Sequence, residues 1–343
     1  MKEAVLWEKL PNRAVRCNLC NHFCSIQNGQ IGACGVRQNR NGVLYSLNYG
    51  KLVAAHIDPV EKKPLYHFLP GTQIFSIATV GCNFRCLFCQ NFDISQAPKP
   101  PQRQIWGESW SAKKVVEAAI KTNCQSIAYT YTEPTIFFEF ALDCAKLAHK
   151  KGLKNVFVTN GYMSKEALKM ISPYLDAANV DLKSFNPNFY RRVSGAQLAP
   201  VLENIKLAHK LGIFIELTTL VIPDQNDSEK ELTQIAEFIA SVNPKIPWHI
   251  SRFHPMYKMS DLPPTPTKTL KKAHDIGKKV GLSFVYVWAP PHGQEEFFEI
   301  GNTFCLQCGN LAIDRKSWIP KLVNIDEKGR CKNCQEDLNL RLK

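Results

Sequence analysis

Residues 72–89 read Thr72-Gln73-Ile74-Phe75-Ser76-Ile77-Ala78-Thr79-Val80-Gly81-Cys82-Asn83-Phe84-Arg85-Cys86-Leu87-Phe88-Cys89. The first nine form an apolar, β-branched run bounded by glycines, the pattern of a buried strand. The last nine set three thiols in one loop directly after it, with three and then two residues between them. A loop this short can wrap one corner of a cubane iron–sulfur cluster. Three protein ligands leave the fourth iron with the open position that a metal needs to bind and activate a substrate. A closed zinc site would need a fourth ligand borrowed from elsewhere.

Outward from this strand, apolar runs alternate with amphipathic helical patterns from about residue 72 to 289, the signature of repeated βαβ units and a parallel sheet. The predicted strands are 72–80, 126–132, 155–159, 178–182, 214–222 and 248–253, with 284–288 a shorter extra. Helices over 111–122, 164–174 and 227–242 open on Ser111, Ser164 and Asp227-Ser228 caps, and Gly152, Gly212 and Gly281 end helices in left-handed conformation. A closed eightfold barrel needs two more βα units, so the expected fold is α/β, a partial (β/α)6 TIM-type barrel. The expected organisation is an N-terminal metal-binding cysteine module and lead-in over 1–70, the barrel core over 71–290, and a C-terminal zinc-ribbon-like module over 291–343. Just past the strand ends lie Glu133, Asn160, Asp181, Lys183 and His254. Ligands of parallel α/β sheets bind at that edge.

Composition sets the context for the cysteines. The 343 residues are 45% hydrophobic and 21% charged, as in an ordered globular protein. No run approaches the roughly eighteen apolar residues of a membrane span. A cytosolic chain is expected, and there grouped cysteines signify metal rather than disulfides. Eleven of the 13 cysteines fall in three groups: Cys17, Cys20, Cys24 and Cys34; Cys82, Cys86 and Cys89; Cys305, Cys308, Cys331 and Cys334. Cys124 and Cys144 stand alone and read as buried small hydrophobes. The formal charge of +13 suggests a nucleic-acid partner. Thiolates bound to metal would lower it to about +8, however, and an anionic cofactor or protein partner accounts for that equally well. Neither a Walker loop nor a nucleophile elbow occurs.

Cys305-Leu306-Gln307-Cys308 and Cys331-Lys332-Asn333-Cys334 are two knuckles 22 residues apart, a zinc-ribbon pattern, with a rubredoxin-like iron or a further cluster as the alternative. The N-terminal group, Cys17-Asn18-Leu19-Cys20-Asn21-His22-Phe23-Cys24 followed by Cys34, packs four thiols into eighteen residues. It suits structural zinc or an accessory [4Fe-4S] cluster, and His22 could replace one thiol.

The Cys-x3-Cys-x2-Cys loop, with Phe88 before its last cysteine, resembles the signature of radical S-adenosylmethionine (SAM) enzymes. In that superfamily the methionyl amine and carboxylate of SAM chelate the open iron, and one electron passed to the sulfonium yields a 5'-deoxyadenosyl radical. Tyr131-Thr132-Glu133-Pro134 resembles the Gly-Gly-Glu segment that accepts from the SAM amine, with both glycines replaced. Val158-Thr159-Asn160-Gly161 and Val180-Asp181-Leu182-Lys183 resemble segments of glycyl-radical activating enzymes that line the SAM ribose and carboxylate. Phe253-His254-Pro255 resembles the late histidine motif beside the adenosine.

The layout of all three cysteine groups resembles the AmmeMemoRadiSam-system radical SAM enzymes, a group labelled pyruvate formate-lyase activating enzyme-like. Residues 283–304 diverge from the Gly-Asn turn of that pattern. The resemblance implies a [4Fe-4S] cluster, SAM, an electron donor such as flavodoxin or ferredoxin, and AMMECR1-like and MEMO-like partners. The expected reaction is hydrogen abstraction from an unidentified substrate. Installation of a glycyl radical on a large enzyme is the second reading, disfavoured if the two cysteine modules cover the barrel mouth. A zinc-ribbon RNA-binding protein with a structural cluster is the third.

Overall fold

A computed structural model describes residues 1–288, 300–316 and 319–343. The apolar runs form one eight-stranded sheet: β1 (Ala54–Pro59), β2 (Gln73–Ala78), β3 (Ser126–Tyr129), β4 (Lys154–Thr159), β5 (Ala177–Asp181), β6 (Phe214–Val221), β7 (Trp248–Arg252) and β8 (Val285–Trp288). Spatial order follows chain order from β1 to β8. All neighbours are parallel except β1, which runs antiparallel to β2 with Ala54 opposite Ala78. Parallel strands buried on both faces need near-continuous apolar runs, and β2 and β3 come nearest to them. Among the described residues β8 does not pair with β1, so the barrel is open. The predicted extra strand is a full member of the sheet, and a further edge strand comes from the lead-in before residue 71.

Helices α1 (Ala112–Lys121), α2 (Phe138–Lys150), α3 (Lys165–Ile171), α4 (Leu198–Lys210), α5 (Glu229–Val242) and α6 (Thr267–Val280) connect the parallel strands. Ser111 and Ser164 cap α1 and α3 by accepting N–H groups of the first turn. The cap of α5 is Ser228 rather than Asp227. The predicted helix over 164–174 tightens into a 3-10 turn at Ser172–Tyr174, where Pro173 has no N–H to continue the α ladder. Gly152, Gly212 and Gly281 have φ of +77°, +80° and +101° behind their helices. Cys124 and Cys144 are buried in the main apolar core.

The two ends of the barrel carry different modules. Small antiparallel sheets of residues 2–46 hold the N-terminal cysteines and lean on the ends of β2 and β4: the Asn21 N–H donates to Tyr162 O and the Ser164 N–H to Leu19 O. The C-terminal strands Thr303–Phe304, Leu311–Asp314 and Lys321–Leu322 dock at the opposite edge. There Phe68 bridges Arg341, and Lys245, just before β7, contacts Glu336 and Asp337. A buried polar network locks this floor. The Glu216 carboxylate accepts from the Tyr66 and His67 N–H groups and pairs with His249 Nε2 at 2.6 Å. His67 Nε2 reaches Tyr286 Oη at 2.7 Å, Tyr286 meets Thr303, and Arg315 donates to Thr303 and to Tyr66 O. The zinc-ribbon-like segment therefore does not cover the strands' C-terminal ends. Residues 289–299, which include half of the divergent segment and the expected start of the C-terminal module, lie outside the described residues.

Candidate SAM and metal sites

The chain leaves β2 through Thr79 and Val80 and turns at Gly81, whose φ is +108°. A side chain here would sit 2.9 Å from Val36 Cγ1 and 3.2 Å from Cys34 O, so glycine lets the loop press against the N-terminal module. The loop is held by backbone bonds on two sides. Arg85 and Leu87 N–H groups donate to Ser194 and Val193 carbonyls of a π-helical turn, Tyr190–Ser194, and Lys258 N–H donates to Leu87 O. π turns concentrate at functional sites, and this one ends at Ser194, so its last carbonyls are free to accept from the loop. Lys99 also donates to Phe84 O.

The loop buries Cys82 and Cys86 and leaves Cys89 half-buried. Burial pushes the Cys82 and Cys86 thiols up, against Lys99 near the first and Lys183 near the second. Such thiols keep their protons until a metal displaces them. The Phe84 N–H points at Cys82 Sγ (3.3 Å) and Ser95 Oγ lies 3.3 Å from Cys89 Sγ. Asn83 Nδ2 is buried with no hydrogen-bond partner among the described residues. A buried donor without a partner is costly, and here it sits beside Cys82, where the acceptor atoms of a cluster would be. The loop thus fits an iron–sulfur cluster.

Three of the sequence-predicted cofactor residues converge on this loop. Asn160, 5% exposed, donates from Nδ2 to Asn83 Oδ1 at 2.7 Å, lies 3.9 Å from Cys82 Sγ, and accepts the Tyr162 N–H. Lys183 and Asp181 form an ion pair of 2.8 Å, with the ammonium 5.6 Å over the Phe88 ring. Desolvation alone would lower the Lys183 ammonium, but Asp181 and then Cys86 and Tyr190 outweigh it and raise it. Lys183 is 12% exposed and Asp181 35%, leaving a charged pair at the strand ends open to a ligand.

Glu133 and His254 are placed differently. Glu133 is wholly buried. Its Oε1 accepts from the Thr135 N–H and hydroxyl and from the Thr159 hydroxyl, and its Oε2 from the Asn160 N–H at 2.8 Å. Burial raises the carboxyl, opposed by these donors. As found, it staples the segment after β3 to the end of β4 and fixes Asn160. His254 is exposed beyond the end of β7. Sequence reasoning passed over Asn83, Lys99 and the turn at Tyr190–Ser194. Asn83 was legible by its place inside the cysteine loop, whereas the turn has no local signature.

At the other end, the thiols of Cys305, Cys308, Cys331 and Cys334 lie within 4.8 Å of one another, the group of metal-ligand type that converges among the described residues. Cys305 Sγ is 3.4 Å from Cys334 Sγ, and Cys308 Sγ is 3.6 Å from Cys331 Sγ. Tetrahedral zinc with Zn–S bonds of about 2.3 Å requires S···S edges of about 3.8 Å. The Asn310 N–H and the Asn333 side chain pull the Cys308 thiol down to about 6, favouring the thiolate a metal needs.

Comparison with known proteins agrees with this geometry. The Radical SAM superfamily pattern matches residues 76–236. The chain is 46% identical over 344 residues to an uncharacterized protein of Methanocaldococcus jannaschii, MJ0808, covering 99% of both. It is 25% identical over 182 residues to a putative glycyl-radical enzyme activating enzyme of the same organism, covering 52% of this chain and 66% of the relative. Among solved structures, Streptococcus suis SuiB bound to S-adenosylmethionine superposes with a TM-score of 0.50 at 12% identity, over 68% of this chain and 53% of that one. The last likeness is one of fold.

Proposed function

Since the chain belongs to the radical SAM superfamily and is an enzyme, we propose that Cys82, Cys86 and Cys89 hold the [4Fe-4S] cluster and that the adjoining strand ends hold SAM. When bound, these groups supply one-electron cleavage of the sulfonium to methionine and a 5'-deoxyadenosyl radical that abstracts hydrogen. The protein's part is to bind, orient and shield. Lys183 offers its ammonium to the SAM carboxylate while Asp181 keeps it charged and aimed. Asn160 fixes the cluster loop through Asn83 and is itself fixed by Glu133, which acts as a positioning residue. His254 lies on the adenosine side.

The observation that carries this reading is the coupling of Asn160 to both Asn83 and Cys82. Motifs separated by more than seventy residues meet at one loop of three thiols, two buried and one half-buried. The expected organisation of an N-terminal module over 1–70, a core over 71–290 and a C-terminal module over 291–343 is retained as part of the proposal. So are zinc at the C-terminal thiols, a metal at the N-terminal quartet, a flavodoxin or ferredoxin as donor, and AMMECR1-like and MEMO-like partners. Anaerobically reconstituted, reduced protein should convert SAM to 5'-deoxyadenosine and methionine, and Cys86→Ala should not. Equal conversion by the variant would remove the loop from the chemistry.

Glycyl-radical activation is supported as a second reading by one observation. Among the described residues the C-terminal ribbon docks at the edge away from the cluster loop, which leaves only the N-terminal module leaning on the mouth. A persistent glycyl-radical EPR doublet on a mixed-in partner enzyme is its test.

A further inference from the structure

Resting on the reading of a SAM-cleaving cluster at the central trio, we infer that Cys17, Cys20, Cys24 and Cys34 hold a second iron–sulfur cluster that passes electrons to the first. All four cysteines line one cavity of about 20 Å³, together with Leu19, Ile26, Ile136 and His22. Tetrahedral zinc draws four sulfurs to about 2.3 Å from a shared centre, leaving no space among them for a water-sized sphere. The C-terminal thiols have that contracted spacing, whereas the quartet's sulfurs are not gathered within 4.8 Å of one another. A cubane spreads its thiolates around a polynuclear core and suits the wider arrangement.

An N–H donor is provided as well. Arg37 is 1% exposed, has Nη1 3.8 Å from Cys17 Sγ, and is ion-paired to the equally buried Glu139. The Arg37–Glu139 pair is neutral overall, but its guanidinium turns an N–H toward Cys17 Sγ, and such N–H···S contacts tune a cluster's potential.

The quartet adjoins the trio. His22, in the wall of the quartet cavity, has Nε2 2.7 Å from the carbonyl of Asn83, the residue after Cys82. Cys34 O is in near contact with Gly81, the residue before Cys82. One layer of residues therefore separates the two thiol groups. The loop of Gly29 to Gly35 also walls a groove of about 990 Å³ bearing Arg85, Lys99, Arg103 and Lys258, together with Asp93. Its basic side chains suit an acidic low-potential one-electron carrier. In the balanced step the reduced carrier gives one electron to the oxidised quartet cluster, which passes it to the oxidised trio cluster and returns to its starting state. No proton or bond changes at the quartet.

The test uses the full chain with Cys82, Cys86 and Cys89 all changed to alanine, reconstituted anaerobically with iron and sulfide. It should hold about four irons, about one zinc at the C-terminal thiols, and a reducible EPR signal insensitive to SAM. Two zinc ions and no iron would overturn the inference. If the variant does not fold, the intact protein decides: about eight irons and two reduced signals, of which SAM perturbs one, are expected, and about four irons with a single SAM-sensitive signal would refute it. Iron at the quartet with none at the trio would instead sink the parent proposal and leave this site standing. On stopped-flow mixing with reduced flavodoxin, the iron-loaded variant should bleach as fast as the first phase of the intact protein. An iron-loaded variant that stays oxidised would make the quartet structural and contradict the relay.

Discussion

Replacing Asn160 by alanine tests whether the cluster loop is held by the end of β4. The side chain makes two good hydrogen bonds, to Asn83 Oδ1 at 2.7 Å and from the Tyr162 N–H at 3.1 Å, and a longer contact to Cys82 Sγ at 3.9 Å. Asn83 is 3% exposed and Tyr162 1%, so water cannot readily replace the lost partners. Each buried group left unpaired costs about 1 to 3 kcal/mol, and the two share one site, so about 2 to 4 kcal/mol of destabilisation is expected. Part of that loss falls on the loop itself, where Asn83 Oδ1 would lose its Asn160 donor and keep only the 3.8 Å contact to Cys82 Sγ. Anaerobic urea titration of reconstituted protein, followed by far-UV circular dichroism, measures the first effect. The rate of cluster bleaching by an iron chelator measures the second and should rise. Asn160→Asp should preserve the Tyr162 bond but set a carboxylate against Asn83 Oδ1 and a thiolate, so it should retain more stability yet lose the cluster fastest. If the alanine variant matches the parent in both assays, the loop is not held as described.

Lys183→Met should weaken SAM binding by about 1 to 3 kcal/mol, about 5- to 150-fold in Kd by equilibrium dialysis, because a charge-assisted bond is lost; unchanged affinity would take Lys183 out of the site. His67 is buried and its imidazole is pushed down to about 4, first by desolvation. The unfolded chain takes up that proton near pH 6.5 while the folded chain does not until about pH 4, so stability falls as pH drops through this window, by up to about 3 kcal/mol. Comparing urea midpoints of the parent and His67→Phe at pH 7 and pH 5 checks this, since the variant should lose less; parallel losses would refute it. Stripping the metal from the C-terminal thiols should raise hydrogen exchange over residues 300–343 and at His67 and Tyr286, without altering SAM affinity, because the ribbon docks at the edge away from the cluster loop. A matched loss of SAM binding would contradict that placement.

Most of the barrel was legible because several of its parallel strands fall on short, largely apolar runs and each helix between them carries a serine cap or terminal glycine, local signals that tertiary packing here reinforces. Strand β1 escaped notice because Ala54-Ala55-His56-Ile57-Asp58-Pro59 has mixed polarity, as an edge strand exposed along part of its length permits. The positions of Asn160, Asp181 and Lys183 followed from their places at strand ends. What Glu133 does there was not legible, because its four internal hydrogen bonds depend on Thr135 and on residues of β4 and the turn after it. Which end of the barrel each cysteine module occupies was equally hidden. It is set by contacts distant in sequence, among them His67 with Leu338 and His22 with Asn83.

The central claim is an iron at the Cys82, Cys86 and Cys89 loop that the polypeptide leaves one ligand short. Mössbauer spectroscopy of 57Fe-reconstituted protein with and without SAM addresses it directly. One iron of the cluster assigned to this loop by the Cys86→Ala control should change its isomer shift when SAM binds, while its other irons stay put. Zinc in place of iron at the loop, or a spectrum blind to SAM, would contradict the account.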